Sequence, residues 1–151
     1  MLFRSVLGDF GGTMNGYCSD LTRCGVTGEI PRAVAEAYDV LFAAQAAGVA
    51  AGTVGASCED VDRAAREVIA SAGFGEYFVH RTGHGIGTEE HEDPYMVSGN
   101  ALPIQPGFAW SVEPGIYLPG RFGLRLEDIV VATTDGPRRL THAPRDLVVV
   151  S

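Results

Sequence analysis

Basic residues are scarce in this chain: 11 Lys plus Arg stand against 19 Asp plus Glu, a formal net charge of -8 at pH 7. That balance leaves no basic footprint for nucleic acid or for an anionic membrane surface. Cysteine is sparse as well. Cys18, Cys24 and Cys58 are odd in number and have no CxxC spacing, so neither a disulfide framework nor a thiolate zinc site is indicated, and a reducing cytosol suits them. No apolar run reaches the roughly 18 residues of a membrane span, and "MLFRSVLGDF" lacks the layout of a signal peptide. The chain reads as cytoplasmic. Internal repeats, low-complexity tracts and dividing linkers are also missing. What is there is 151 residues, 46% hydrophobic and 20% charged, sufficient for one domain over residues 1–151 that buries a core.

Turn and periodicity signals order the elements. "LFRSVLGDF" and "GYCSDLT" are strand-like runs on either side of "GGTMNG", whose Asn15-Gly16 pair predicts a hairpin. From Pro31 to about Ala47 the spacing of Val34, Ala37, Val40, Leu41 and Ala44 predicts a helix, with Gly48 just past its end. Ser57 and Asp60 form a capping-box pattern before a second helix, in which Val61, Ala65, Val68 and Ile69 share a face and Gly73 follows the end. "YFVHRTGHGIGTEEHEDPYM" reads as a polar, Gly-rich loop. Three strand-like segments follow: "FAWSVEPGIYL", "FGLRLEDIVVAT" and "RDLVVV". Hairpin, two helices and then sheet is an α+β order.

The hairpin carries two acids eleven positions apart, Asp9 and Asp20. If it turns on Met14-Asn15, the two face each other with Cβ atoms roughly 5 Å apart; if it turns on Asn15-Gly16, Asp20 opposes Gly11 and the acids are diagonal neighbours on the same face. Facing like charges are unfavourable, so either that face is well solvated or a cation lies between them. Other hard ligands sit in constrained contexts. His84 is flanked by Gly83 and Gly85, which let the backbone approach other groups closely. Glu113 precedes Pro114 and is held extended at a strand end. Glu127 lies in a strand whose alternation puts Leu124 and Leu126 on one face and Arg125 with Glu127 on the other. One imidazole and four carboxylates suit two divalent cations, whose charges they balance. Each residue also has a plainer reading: a loop histidine, a surface acid at a strand end, a salt-bridge partner of a neighbouring arginine.

"DFGGTMNGYCSDLTR", "HRTGHGIGTEEHEDP", "SVEPGIYLPG" and "GLRLEDIVV" resemble the successive motifs of the pita-bread metallopeptidases, in particular the Xaa-Pro dipeptidase and aminopeptidase P branch. The resemblance runs from Asp9 to the C-terminal strand. It implies that Asp9, Asp20, His84, Glu113 and Glu127 are the ligands of a dinuclear metal centre. It further implies that His91 donates a hydrogen bond to the scissile carbonyl or the developing gem-diolate, and that His80 lines the same loop. Arg125 either binds a substrate carboxylate or buttresses a ligand. The methionine aminopeptidase branch shares the ligand set, but "GYCSDLTR" and "GLRLEDIV" are more like the proline-directed branch. Oxygen-dominated coordination with one imidazole favours Mn²⁺, with Co²⁺, Fe²⁺ or Zn²⁺ as alternatives, and argues against copper.

The resemblance thus implies metal-dependent hydrolysis of the Xaa-Pro bond in short proline-containing peptides, by a protein expected to be a homodimer. Proteins of this family carry a half-domain ahead of the aspartate hairpin, whereas eight residues precede Asp9 here. The expectation is therefore a partial catalytic domain, the second half of the pita bread plus the ligand hairpin. A different class of function follows as the alternative: a remnant that binds metal or peptide without efficient turnover.

Overall fold

The computed structural model describes residues 4–150. The chain opens on strands β1 (Ser5–Met14) and β2 (Tyr17–Thr27), joined by Asn15 at φ 52 and Gly16 at φ 86. Positive φ at both central residues is the two-residue turn that matches strand twist, and Asn-Gly tolerates it best. This turn selects the second of the two registers: Asp20 pairs with Gly11 and Asp9 with Thr22. The two acids are diagonal neighbours on one face.

Helix α1 spans Arg32–Ala51 and α2 spans Cys58–Ser71. The apolar spacing correctly marks the buried stripes, Val34, Ala37, Leu41 and Ala44 in α1 and Val61, Ala65 and Ile69 in α2. The end of α1 differs from expectation. The helix runs past Gly48 to Ala51, because Gly48 is a contact glycine and not a stop: a Cβ there would lie 3.0 Å from Val112 Cγ1. At α2 the Asp60 carboxylate accepts hydrogen bonds from the Ser57 backbone N–H (2.8 Å) and hydroxyl (2.7 Å). Asp60→Ala is accordingly expected to lower stability in chemical denaturation, with Asp60→Asn losing less.

The region read as a loop contains two short strands, β3 (Gly83–Gly85) and β4 (Glu92–Met96). The three residues of β3 are too few to register as alternation, and Pro94 within β4, an edge strand, obscures the second. The two longer predicted strands each break in two: β5 (Ala109–Val112) and β6 (Gly115–Leu118) flank Glu113-Pro114, while β7 (Phe122–Arg125) and β8 (Asp128–Thr133) flank Leu126-Glu127. Glu127 thus lies in a break and not within a strand, although Leu124 and Leu126 are buried on one side as the alternation requires. Two strands end the chain, β9 (Gly136–Arg139) and β10 (Val148–Val150).

These elements form a five-stranded sheet ordered β4-β3-β5-β8-β9, a three-stranded sheet β1-β2-β10 with β10 parallel to β2, and the hairpin β6-β7. Two apolar clusters hold them together. One packs α1 and α2 against β2, β6 and β7 through residues such as Leu41, Ile69, Ile116 and Leu124; the other surrounds Trp110 with Cys58, Met96, Ile104 and Val130. Both leave the ends of β3, β5 and β7 converging on one side of the hairpin, which is where the hard ligands are. No helix among the described residues is long and apolar enough to cross a membrane.

Candidate metal centre

Each expected ligand reaches one cleft from a different element. Asp9 comes from β1, Asp20 from β2, His84 from the middle of β3, Glu113 from the end of β5 and Glu127 from the break after β7; His80, His91 and Arg125 line the same cleft. Donor atoms approach within 4.8 Å of one another in three overlapping groups: Asp9, Asp20 and Glu127; His84, Glu113 and Glu127; Asp20, His84 and His91. Asp20, His84 and Glu127 each belong to two of them. The diagonal placement of Asp9 and Asp20 therefore extends into a three-dimensional cluster.

The electrostatics are those of a site short of positive charge. Burial and then the Glu113 charge push the Glu127 carboxyl up to about 8, against the lowering effect of the Thr22 hydroxyl, which donates to its Oε2 at 2.5 Å. The other oxygen, Oε1, is buried and has no hydrogen-bond partner. Asp20 is raised as well, by burial and by Asp9. At Glu113 burial acts upward, but hydrogen bonds and charge from His84, with the Ser111 hydroxyl at 3.0 Å, outweigh it and hold the carboxyl below its usual range.

His84 is oriented for ligation. Its Nδ1 lies 3.0 Å from the Gly85 carbonyl, which can only accept, so Nδ1 carries the hydrogen and Nε2 turns its lone pair to the acids, 3.2 Å from Glu113 Oε1 and 3.6 Å from Asp20 Oδ2. An imidazole lone pair facing carboxylates is repulsive without a proton or a cation between them. His84 is accordingly raised: burial alone would lower it, but Glu113 and the Gly85 carbonyl prevail. An orphaned buried carboxylate oxygen, clustered acids and a directed imidazole together fit divalent cations.

The remaining predicted residues separate by environment. His91 is exposed and lies against His84, with ring centroids 4.0 Å apart and ring planes tilted by 55°. His80 is bound at both nitrogens: Nδ1 donates to the Arg81 carbonyl at 2.7 Å and Nε2 accepts from the Tyr117 hydroxyl at 2.9 Å, while burial lowers its pKa. Arg125 donates to Asp9, to the Thr22 hydroxyl at 3.2 Å and to the Tyr117 oxygen at 3.2 Å. It braces Asp9 on β1 and makes no direct contact with its neighbour Glu127.

Thr22, Ser111 and Tyr117 are absent from the sequence reading. A signal existed for two of them. Thr22 follows Asp20 by two residues and Ser111 precedes Glu113 by two, the spacing that puts strand side chains on one face. Thr22→Val would leave Glu127 Oε2 without its donor. The expected result is a further rise in the pH at which Glu127 ionises and cation affinity lowered about tenfold, read by calorimetric titration with Mn²⁺.

The model of the family described as metallopeptidase family M24 matches residues 4–134. The probable dipeptidase PepE of Mycobacterium tuberculosis is 53% identical over 146 residues, 96% of this chain and 39% of the relative. The Xaa-Pro dipeptidase of Lactobacillus helveticus is 44% identical over 145 residues, again 96% of this chain and 39% of the relative. The crystal structure of dipeptidase PepE from Mycobacterium ulcerans superposes with a TM-score of 0.94 at 52% identity, covering 97% of this chain and 40% of that one. The chain spans about two fifths of the length of the relatives it matches.

Proposed function

Since the chain belongs to metallopeptidase family M24, we propose that its acidic cluster holds two divalent cations and hydrolyses the Xaa-Pro peptide bond in dipeptides or at peptide N-termini. Its α+β architecture is that of the pita-bread dipeptidases and prolidases over about two fifths of their length. The observation that carries the proposal is Glu127, shared by two ligand groups, with one buried oxygen unpartnered. One imidazole among four carboxylates favours Mn²⁺ over Co²⁺, Fe²⁺ or Zn²⁺.

Asp9, Asp20, His84, Glu113 and Glu127 would hold the two ions, which when bound supply an acidified water and a polarised carbonyl. The protein's own groups do the rest. His91, exposed beside His84, presents a ring N–H to the scissile carbonyl oxygen as that oxygen gains charge. His80, fixed at both nitrogens, forms a rigid wall of the cleft, and Arg125 keeps Asp9 in place. The bond before proline has no N–H, so a cleft that grips carbonyl and ring, and not the amide hydrogen, selects it. The partner is then a short proline-containing peptide. Exposed Phe10, Met14 and Tyr17 on the hairpin suit a homodimer, and the free cysteines suit the cytoplasm.

A second reading is a metal- or peptide-binding module without efficient turnover, since a cation alone would satisfy the clustered acids and the unpartnered Glu127 oxygen. Incubation of the purified protein with Mn²⁺ and Ala-Pro, a longer Xaa-Pro peptide and Ala-Ala separates the two. Release of the proline-linked product, absent for Ala-Ala, is expected. Tight Mn²⁺ binding with no hydrolysis of any peptide would favour the binding module.

A further inference from the structure

Glu127 sits where no strand ladder fixes its backbone, between the last paired residue of β7, Arg125, and the first of β8, Asp128. Its N–H donates to the Thr22 carbonyl at 3.2 Å. Its carbonyl is held by a side chain from β2. Arg23 NH1 donates to the Glu127 carbonyl (2.5 Å) and to the Thr22 carbonyl (2.9 Å); NH2 donates to Asp128 Oδ1 (2.7 Å) and to the Ala143 carbonyl (3.0 Å); Nε donates to the Pro144 carbonyl (2.7 Å). All five N–H groups of a guanidinium are thereby used. Two of the acceptors belong to Thr22 and Glu127, whose side chains meet each other inside the acidic cluster.

The anchor of this arginine is itself locked. Asp128 is fully buried, and its Oδ2 accepts from Gln45 Nε2 at 2.9 Å; Gln45 is also fully buried and accepts from Arg145 at 3.0 Å. A buried Arg–Asp pair adds little net stability over apolar residues of the same volume. What this pair adds is placement: it sets the two backbones from which the Glu127 carboxylate and its hydroxyl donor project.

We infer that Arg23, braced by Asp128, is a positioning residue for the Glu127 carboxylate and through it for the bound cations. The inference rests on the proposed metal role of Glu127. Lysine offers three donors at a single point and cannot span five acceptors, so Arg23→Lys tests geometry with the charge retained.

The experiment compares Arg23→Gln, Arg23→Lys and Asp128→Asn with the wild-type chain and with Ile69→Val, a core substitution remote from the site. Mn²⁺ affinity is read from the EPR signal of free Mn²⁺, and the Mn²⁺-induced rise in Tm is measured alongside far-UV circular dichroism. Variants at 23 and 128 with wild-type dichroism are expected to bind Mn²⁺ about 10–100-fold more weakly and to show a smaller Mn²⁺-induced rise in Tm. Arg23→Lys should lose less than Arg23→Gln, and Ile69→Val should melt lower yet bind Mn²⁺ as the wild type does. If Arg23→Gln does not fold, Arg23→Lys and Asp128→Asn decide. Folded variants that bind within twofold of wild type overturn the inference, as do an equal loss in Ile69→Val and a failure of all three variants to fold. If the wild-type chain binds no Mn²⁺, the metal-centre reading fails first and takes this inference with it.

Discussion

Glu127→Gln is expected to abolish tight Mn²⁺ binding while making the metal-free protein more stable in alkaline solution. The loss of affinity should exceed the roughly 100-fold that marks removal of an outer partner, because a shared anionic donor disappears. The gain in stability has the opposite origin. Folding raises the Glu127 carboxyl from its ordinary 4.5 to about 8. A group raised in the folded state contributes stability that is complete below its unfolded pKa and is lost as pH climbs through the folded one. At pH 9 the metal-free wild type has lost that contribution, whereas the neutral amide has nothing to ionise. The variant should therefore melt roughly 5 °C above wild type at pH 9 in EDTA, with a much smaller difference at pH 5. Mn²⁺ bound at Glu127 would compete with that proton, so the expected apparent affinity rises with pH up to about 8 and flattens above it. A Gln variant that melts below wild type at pH 9 would show that Glu127 is not held in an uncompensated site.

Gly83→Ala is expected to be among the most damaging single substitutions in the chain. A Cβ at Gly83 would lie 1.8 Å from the Ser111 carbonyl oxygen, which is backbone and cannot rotate away. Relief requires β3 to move off β5. Such overpacking costs about 3 kcal/mol or more. The damage extends to the site, because the Ser111 hydroxyl accepts the His84 N–H at 3.0 Å and donates to Glu113 Oε1 at 3.0 Å. Moving β3 separates His84 from Glu113 and from the Ser111 hydroxyl that bridges them. Denaturant unfolding should show the stability loss, and Mn²⁺ titration of whatever fraction folds should show weaker binding. Gly12→Ala provides the contrast: a Cβ there meets nothing within 4 Å, so a change within about 0.5 kcal/mol is expected. Wild-type stability in Gly83→Ala would mean that β3 and β5 do not pack as closely as described.

How much of this was legible beforehand depends on the range of the interaction concerned. Asn15-Gly16 announced the hairpin, and the glycines around His84 announced a close backbone approach, because both are conformational properties of one or two residues. The capping pair at Ser57 and Asp60 was equally local. The register of the hairpin was narrowed to two choices and settled by the dihedrals of the turn. The end of α1 was misjudged because a glycine that ends a helix and a glycine that lets a helix approach a strand are the same letter; the difference lies in Val112, far away in the chain. Pro114 marks Glu113 as a strand end, but the break at Glu127 has no such mark, for a related reason. Alternation of buried and exposed residues persists through a break, while the ladder that would reveal it involves other strands.

By itself the sequence determined the chemical inventory: an acidic chain, an α+β order of elements and five hard donors whose types suit divalent cations. Those properties reside in individual side chains and in short-range periodicity. Tertiary structure alone decided how the donors are held. Thr22 reaches Glu127 across 105 positions, Arg125 reaches Asp9 across 116, and Arg23 ties the Glu127 backbone to Pro144 across 121. None of those pairs shares a helix face or a strand, so no local pattern relates them. They meet because packing the two helices against the later strands closes β2 onto the β7–β8 break, and that closure turns a list of acids into a site.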